Sequence, residues 1–286
     1  MKILELFNKD KSVITGVWQE LIDANDCYTV SVMHLGTNTK TNVCGDISLV
    51  QTFYVIEGEV EATVFDQVGQ QEFGRKIYSN NKGWSLLPEQ KQSLHAKHDS
   101  LIFVVSGKIF SGKLTDVTGK NPIKLQEIND LGNYLVNKPW GSEQWFVENG
   151  IYVLKGITMN SGEKCSLQVH ENKIEVNLVL HGSAEVMLCY DKVAEEAIVN
   201  HRQSGKQQSE FVTTEEILSS FEKNKQSILI GKYEGWKVRP FQIHQVFSKE
   251  TYFALEVSTT EVDDIIRLQD KHNRPGGRIV SEHQNV

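Results

Sequence analysis

The chain has 286 residues, 39% of them hydrophobic, and a formal net charge of −7. That supports a globular protein with one large core or two of medium size. The acidic balance, without a block of five or more Lys and Arg, excludes nucleic acid or an anionic membrane as the main partner.

The opening MKILELFNKD lacks the apolar core and small-residue cleavage site of a secretory signal, and Cys27, Cys44, Cys165 and Cys189 form no CxxC pair. No stretch reaches the roughly 18 to 20 apolar residues of a membrane-spanning helix. A soluble protein of the cytoplasm is expected.

Runs rich in Val, Ile, Tyr and Phe with period-two alternation recur along the chain: YTVSVMHL, QTFYVIEGEVEATVF, SLIFVVSGKIF, YVLKGITM, NLVLHGSAEVML and YFALEVST. Gly, Asn, Asp and Ser clusters separate them, which predicts an all-β antiparallel sandwich or barrel. Laying Phe53 to Val64 over Asn177 to Leu188, at an offset of 124 residues, brings Gly58 and Gly182 into register. Two tandem β-domains are therefore expected, 1–125 and 126–286, with the polar segment from Lys124 to Tyr134 as linker. The second copy has extra material between about Asp191 and Asn224. There Thr213 and Glu216 fit a capping box, and Ile217, Leu218 and Phe221 share a face of a short helix. A surface excursion is the plain reading of this insertion and a lid over one end of the barrel the alternative.

The run GEKCSLQVHENKIEVNLVLHGSAEV, Gly162 to Val186, carries the chemistry. Alternation puts Gln168, His170 and Asn172 on one face of a strand, and Glu175, Asn177 and Val179 on one face of the next. A hairpin between these strands would bring Gln168, His170 and Glu175 together. Oxygen and imidazole donors so placed suit zinc, iron, manganese or a similar divalent ion.

The spacing of Gly162, Gln168, His170, Glu175 and Gly182 resembles the first cupin motif, with Gln168 in place of its first His. The resemblance implies two tandem cupin barrels of the jelly-roll type with a few short helices. It also implies a fourth ligand from a later strand, His244 in VRPFQIHQVFSKETYFALEV. More narrowly, NKPWGSEQW, SLQVH and DDIIRLQDKHNR resemble the successive signatures of type II mannose-6-phosphate isomerases. The chain departs from that pattern at Asn172, Lys173, Val176 and Asn177 and in the turn before His244, where Gln242 stands in place of a Gly. At the 124-residue offset Cys44, Asp46 and Gln51 replace Gln168, His170 and Glu175, and His95 lies in the region of His244. The first barrel is expected to be metal-free and to serve packing or dimer formation.

The resemblance implies an aldose-ketose isomerase for mannose 6-phosphate and fructose 6-phosphate or a close relative. One divalent ion, zinc first and iron, manganese, cobalt or nickel as alternatives, would be held by Gln168, His170, Glu175 and His244. Lys138, Asn177, Arg267 and Arg274 are expected to meet substrate, the cations at its phosphate, with Arg267 and Lys173 counted as catalytic. Lys173, Glu171 and His181 are weighed as the general base, because a buried Lys shifts toward neutrality; alternation points Lys173 and Glu171 away from the His170 face. The expected partner is a small sugar phosphate, with a homodimer possible. A cupin Fe(II) oxygenase or lyase and a non-catalytic sugar-binding bicupin are the competing readings.

Overall fold

The computed structural model describes residues 16–108 and 126–283, which form two compact units. Of the described residues, the first takes those from 16 to 133 together with Phe146–Val153; the second takes Tyr134–Trp145 and those from 154 to 283. Of the expected linker, residues 124 and 125 lie outside the described residues, while Asn129 and Asp130 pair with a strand of the first unit.

The strands run, in chain order, β1 (Val17–Ala24), β2 (Tyr28–Leu35), β3 (Thr39–Lys40), β4 (Leu49–Glu57), β5 (Glu59–Phe65), β6 (Glu72–Ser79), β7 (Gly83–Leu86), β8 (Lys91–Ala96), β9 (Ser100–Lys108) and β10 (Asn129–Asp130). They build sheets of order β1-β2-β9-β4-β7-β10 and β3-β8-β5-β6. Next come β11 (Tyr134–Lys138), β12 (Gly141–Glu148), β13 (Val153–Met159), β14 (Leu167–Val169), β15 (Glu175–His181), β16 (Ala184–Tyr190), helices α1 (Lys192–Gln203) and α2 (Glu215–Asn224), β17 (Gln226–Ile230), β18 (Gly235–Val238), β19 (Gln242–Ser248), β20 (Tyr252–Ser258) and β21 (Ile266–Gln269). These form sheets β11-β12-β13-β20-β15-β18 and β17-β16-β19-β14-β21. Each unit is thus an antiparallel jelly roll, as the alternating runs predict.

Pairing registers show the repeat directly. Phe53 on β4 faces Trp84 on β7 as Asn177 on β15 faces Trp236 on β18. Gly58 and Gly182 both turn with positive φ, +90° and +73°, where an added Cβ would strike the backbone of Asp99 in one and Thr251 in the other; only glycine fits either turn. Cys44 bridges Gln92 as Gln168 pairs with His244. His244 therefore corresponds to Gln92, and His95 is displaced from the place expected of it.

The interior of the first unit is apolar. Phe53 stacks on Trp84 at 5.1 Å and Tyr78 on the same indole at 4.6 Å, within a cluster that includes Val55, Leu86 and Leu94. Gln92 accepts the Trp84 indole N–H at 2.8 Å, and Gln51 donates to Ser106 Oγ at 3.0 Å.

The insertion between β16 and β17 is an excursion packed on one face of a sheet. Its helices pack Ala194, Ile198, Ile217 and Phe221 against Leu167, Val169, Ile243, Ile266 and Leu268. Alternation explains the arrangement: Leu167 and Val169 flank Gln168, Ile243 precedes His244, and Ile266 and Leu268 flank Arg267. The apolar set faces the helices and the polar set faces inward. The cap of α2 is Thr214, one residue later than expected, accepting from Ile217 N–H at 3.4 Å. No helix among the described residues is long and apolar enough to cross a membrane.

Candidate metal centre and cation-lined cavity

Gln168 on β14 pairs with His244 on β19 on one side and with Arg267 on β21 on the other. Directly opposed residues share a face, so this row of three points into the unit. Glu175 comes from the other sheet, on β15 between β18 and β20. The expected hairpin between the Gln168 and Glu175 strands is absent: β14 and β15 belong to different sheets, and their donors meet across the interior. His170 lies just beyond β14. Asn172, expected on its face, is exposed.

His170, Glu175 and His244 are buried, and their ligand atoms lie within 4.8 Å of one another. His170 Nε2 is 3.3 Å and His244 Nε2 3.9 Å from the Glu175 carboxylate. Each imidazole turns Nδ1 to a backbone carbonyl, His170 to Asp264 and His244 to Gln242. That fixes Nδ1–H as donor and leaves the Nε2 lone pair facing inward. His170 Nε2 is buried without a hydrogen-bond partner, an arrangement that an ion resolves. Burial pushes His244 down to about 4 against the attraction of Glu175, so it is neutral near pH 7, the state that ligates metal. Burial alone would raise the Glu175 carboxyl, but the Lys173 ammonium holds it well below the usual carboxylate range. Gln168 places Nε2 3.1 Å from His244 Nε2 and its oxygen on Ser166 Oγ at 2.7 Å; a half-turn of the amide brings Oε1 to the ion. The residues fit a divalent ion with two nitrogen and two oxygen donors.

Asp264, in the DDIIRL segment, organises the loop after His170. Its carboxylate accepts from the backbone N–H of Glu171 at 3.1 Å, Asn172 at 2.6 Å and Lys173 at 3.1 Å, and from Gln208 Nε2 at 2.8 Å. Across the same loop His170 O accepts from Phe241 N–H at 2.7 Å. Phe241 has φ +60°, so the left-handed position of the turn before His244 falls on Phe241, one residue before the expected Gln242.

The cavity beside the centre is lined by Lys138, Lys155, Lys173, Arg267 and Arg274 and by Glu143, Glu175 and Glu256. Lys173 donates to Glu175 and, at 3.1 Å, to Glu256. This corrects two expectations. Lys173 faces the cavity because it sits in the loop between β14 and β15, where strand alternation does not apply. Burial lowers its affinity for a proton, but the two carboxylates raise it further and keep Lys173 charged. Glu171 instead pairs with Arg202 at 3.3 Å and accepts from Gln208, and His181 is exposed at the end of β15.

Two lysines and two glutamates continue the alternation of charge. Lys155 lies 3.8 Å from Glu256 and 3.5 Å from Glu143, with its ammonium 4.1 Å from the Trp145 ring centroid. Lys138 lies 3.6 Å from Glu143. Burial raises the Glu143 carboxyl, but Lys155 and Lys138 hold it at about 2. Sequence reasoning missed Lys155, Glu143 and Glu256; the signal was a charged residue inside an otherwise apolar run, as in YVLKGITM and YFALEVST, because a buried charge persists only when paired.

Lys138 ends β11, and Gly141 begins β12 in direct register with it, so KPWG is a hairpin turn. Gly141 has φ +151°, and a Cβ there would lie 2.1 Å from Thr158 O. Asn177 lines the cavity opposite Trp236 and Glu256 in register. Arg267 pairs with neither Asp263 nor Asp264; Nη1 donates to the carbonyls of Pro275 and, at 2.8 Å, Gly277, and Nε is buried without a partner. Arg274 is held by Asp270 at 2.7 Å and Glu282 at 3.3 Å.

Residues 133–217 match the family model described as mannose-6-phosphate isomerase C-terminal. No curated protein matches the chain. Among solved structures, it is similar to the oxalate decarboxylase of Lactobacillus farciminis in complex with formate: 12% identity, 96% of this chain and 90% of that chain covered, TM-score 0.58. AerE from Microcystis aeruginosa covers 87% and 94% at 11% identity, TM-score 0.54. The oxalate decarboxylase of Bacillus subtilis, whose structure was determined in a study of its Mn(II) centres, covers 89% and 76% at 11% identity, TM-score 0.53. The chain thus has the cupin fold in two-unit form, and over residues 133–217 it matches the mannose-6-phosphate isomerase C-terminal domain.

Proposed function

We infer that the second unit is a metal-dependent aldose-ketose isomerase acting on a sugar phosphate, mannose 6-phosphate and fructose 6-phosphate or a close relative. One observation carries this reading: a buried two-imidazole, one-carboxylate centre opens onto a cavity whose wall holds Lys138, Arg267 and Arg274.

Aldose-ketose interconversion moves a proton between C1 and C2 and develops negative charge on the two oxygens in between. His170, Glu175, His244 and the turned amide of Gln168 would hold a divalent ion, zinc in the first instance, which would supply Lewis-acid stabilisation of that charge. Lys138, Arg267 and Arg274 hold the phosphate at the other end of the sugar, the guanidinium groups by paired N–H donors. Asn177 offers its amide to a sugar hydroxyl. Lys173, tied to Glu175 and Glu256, adds fixed positive charge close to the reacting carbons. Glu256 stands between Lys155 and Lys173, outside the metal set, and is the carboxylate that accepts and returns the proton. The walls of Trp140, Trp236 and Tyr252 keep water away from the intermediate.

The test is NMR of mannose 6-phosphate with metal-loaded protein in D2O. Deuterium entry at C2 together with ketose formation is expected, both abolished by chelator. Glu256→Gln is expected to retain the metal and lower exchange by about 100-fold or more, the scale of general acid-base catalysis. No exchange from a fully metal-loaded protein would reject the isomerase reading, and full exchange from Glu256→Gln would remove that residue from the proton path.

A further inference from the structure

The three cations assigned to the substrate phosphate meet the last described stretch of the chain. Lys138 Nζ donates to one oxygen of Glu282 at 2.8 Å, and Arg274 Nη1 to the other at 3.3 Å. A single carboxylate thus bridges two cations that line the cavity, as two oxygens of a phosphate would. Arg267 is turned to the carbonyls of Pro275 and Gly277 in the same stretch.

What holds the stretch in place is polar. The short 3-10 turn Val280–His283 buries none of its residues, and Val280 is 67% exposed. His283 contributes a hydrogen bond between Nδ1 and the Tyr134 hydroxyl at 2.9 Å and an edge contact with the Trp145 ring at 5.9 Å. Arg278 pairs with Asp263 at 3.1 Å. A short segment anchored chiefly by ion pairs, with none of its residues in the core, is drawn from the readily opened end of a structure. The lining itself favours an anion: its five Lys and Arg exceed its three Glu, and Asp270 and Glu282, which pair with Arg274 and Lys138, balance the excess. Arg274 keeps Asp270 as a partner in any case, through three N–H···O contacts of 2.7 to 3.3 Å. Glu282 is the carboxylate that leaves a gap of the right charge when it moves.

We propose that Glu282 is the resident counter-ion of the phosphate subsite and that a dianionic ligand binds Lys138 and Arg274 by displacing it, releasing the 278–283 strap. The inference rests on the sugar-phosphate reading of the same cavity. It makes Glu282 a specificity-determining residue: neutral sugars leave the carboxylate in place, and phosphorylated ones compete with it.

The test uses the full chain and inorganic phosphate, titrated by 31P NMR against the wild type, Glu282→Gln and Lys138→Met. Glu282→Gln is expected to bind phosphate on the order of tenfold more tightly, because one charge-assisted competitor is gone, and Lys138→Met more weakly. Phosphate is also expected to raise backbone hydrogen exchange in 278–283 of the wild type. Unchanged or weaker binding by a folded Glu282→Gln overturns the proposal, as does exchange in 278–283 unaffected by bound phosphate; in either case the phosphate reading stands if Lys138→Met weakens binding. Failure of all three proteins to bind phosphate overturns both readings at once.

Discussion

At the scale of single residues, the metal reading depends on two Nε2 atoms aimed by their own Nδ1–H bonds. Replacing His170 or His244 with Ala removes a donor and its orientation together. Metal affinity is expected to fall by more than the roughly 10–100-fold that outer hydrogen-bond partners contribute, read by competition with a chelating dye. Gln168→Ala is expected to fall within that range. Stoichiometric metal in both His variants would remove the centre. Residue type and spacing pointed to Gln168, His170 and Glu175, and the family resemblance to His244; three of the four meet in one buried group, with Gln168 beside His244. Lys173 was misread because parity ends where the strand ends. The Lys155, Glu143 and Glu256 set was not legible for a different reason: sequence shows that a charge is buried but not which partner neutralises it.

At the scale of elements, the sequence showed strands but not which sheet takes each one. β14 and β15 go to opposite sheets of the jelly roll, so they looked like a hairpin while folding apart. The DDIIRL segment illustrates the same limit. It was legible as a signature, yet its physical role comes from β21 lying beside β14, which puts Asp264 under three successive backbone N–H groups. Asp264→Ala leaves those donors short of partners and frees the loop from His170 to Lys173. A loss of about 2–4 kcal/mol in unfolding free energy is expected by urea titration, with metal affinity lowered as well. Asp264→Asn keeps one oxygen and should recover part of both. Equal stability of Asp264→Ala and wild type would show that the loop holds itself.

At the scale of the whole molecule, two units with matching registers spend the same interior differently. The second keeps donors at 168, 170, 175 and 244 and an open cavity beside Asn177. The first has Cys44, Asp46, Gln51 and Gln92 at those places, and at the Asn177 position it sets Phe53 on Trp84. Their polar atoms are satisfied within the fold: Asp46, exposed, accepts from Ser48 N–H at 2.8 Å and Oγ at 2.7 Å. Offset stacking of this kind adds about 0.5–1.5 kcal/mol per pair beyond area burial, so the first interior favours packing over binding. Replacing Asp46 or Gln51 with Ala is therefore expected to leave metal content, by elemental analysis, at the wild-type level. Phe53→Ala is expected to cost about 3–5 kcal/mol in unfolding free energy, the range for a buried aromatic, again with metal content unchanged below the unfolding transition. A fall in metal content in the Asp46 or Gln51 variant, at wild-type stability, would place an ion in the first unit and reverse the division of labour.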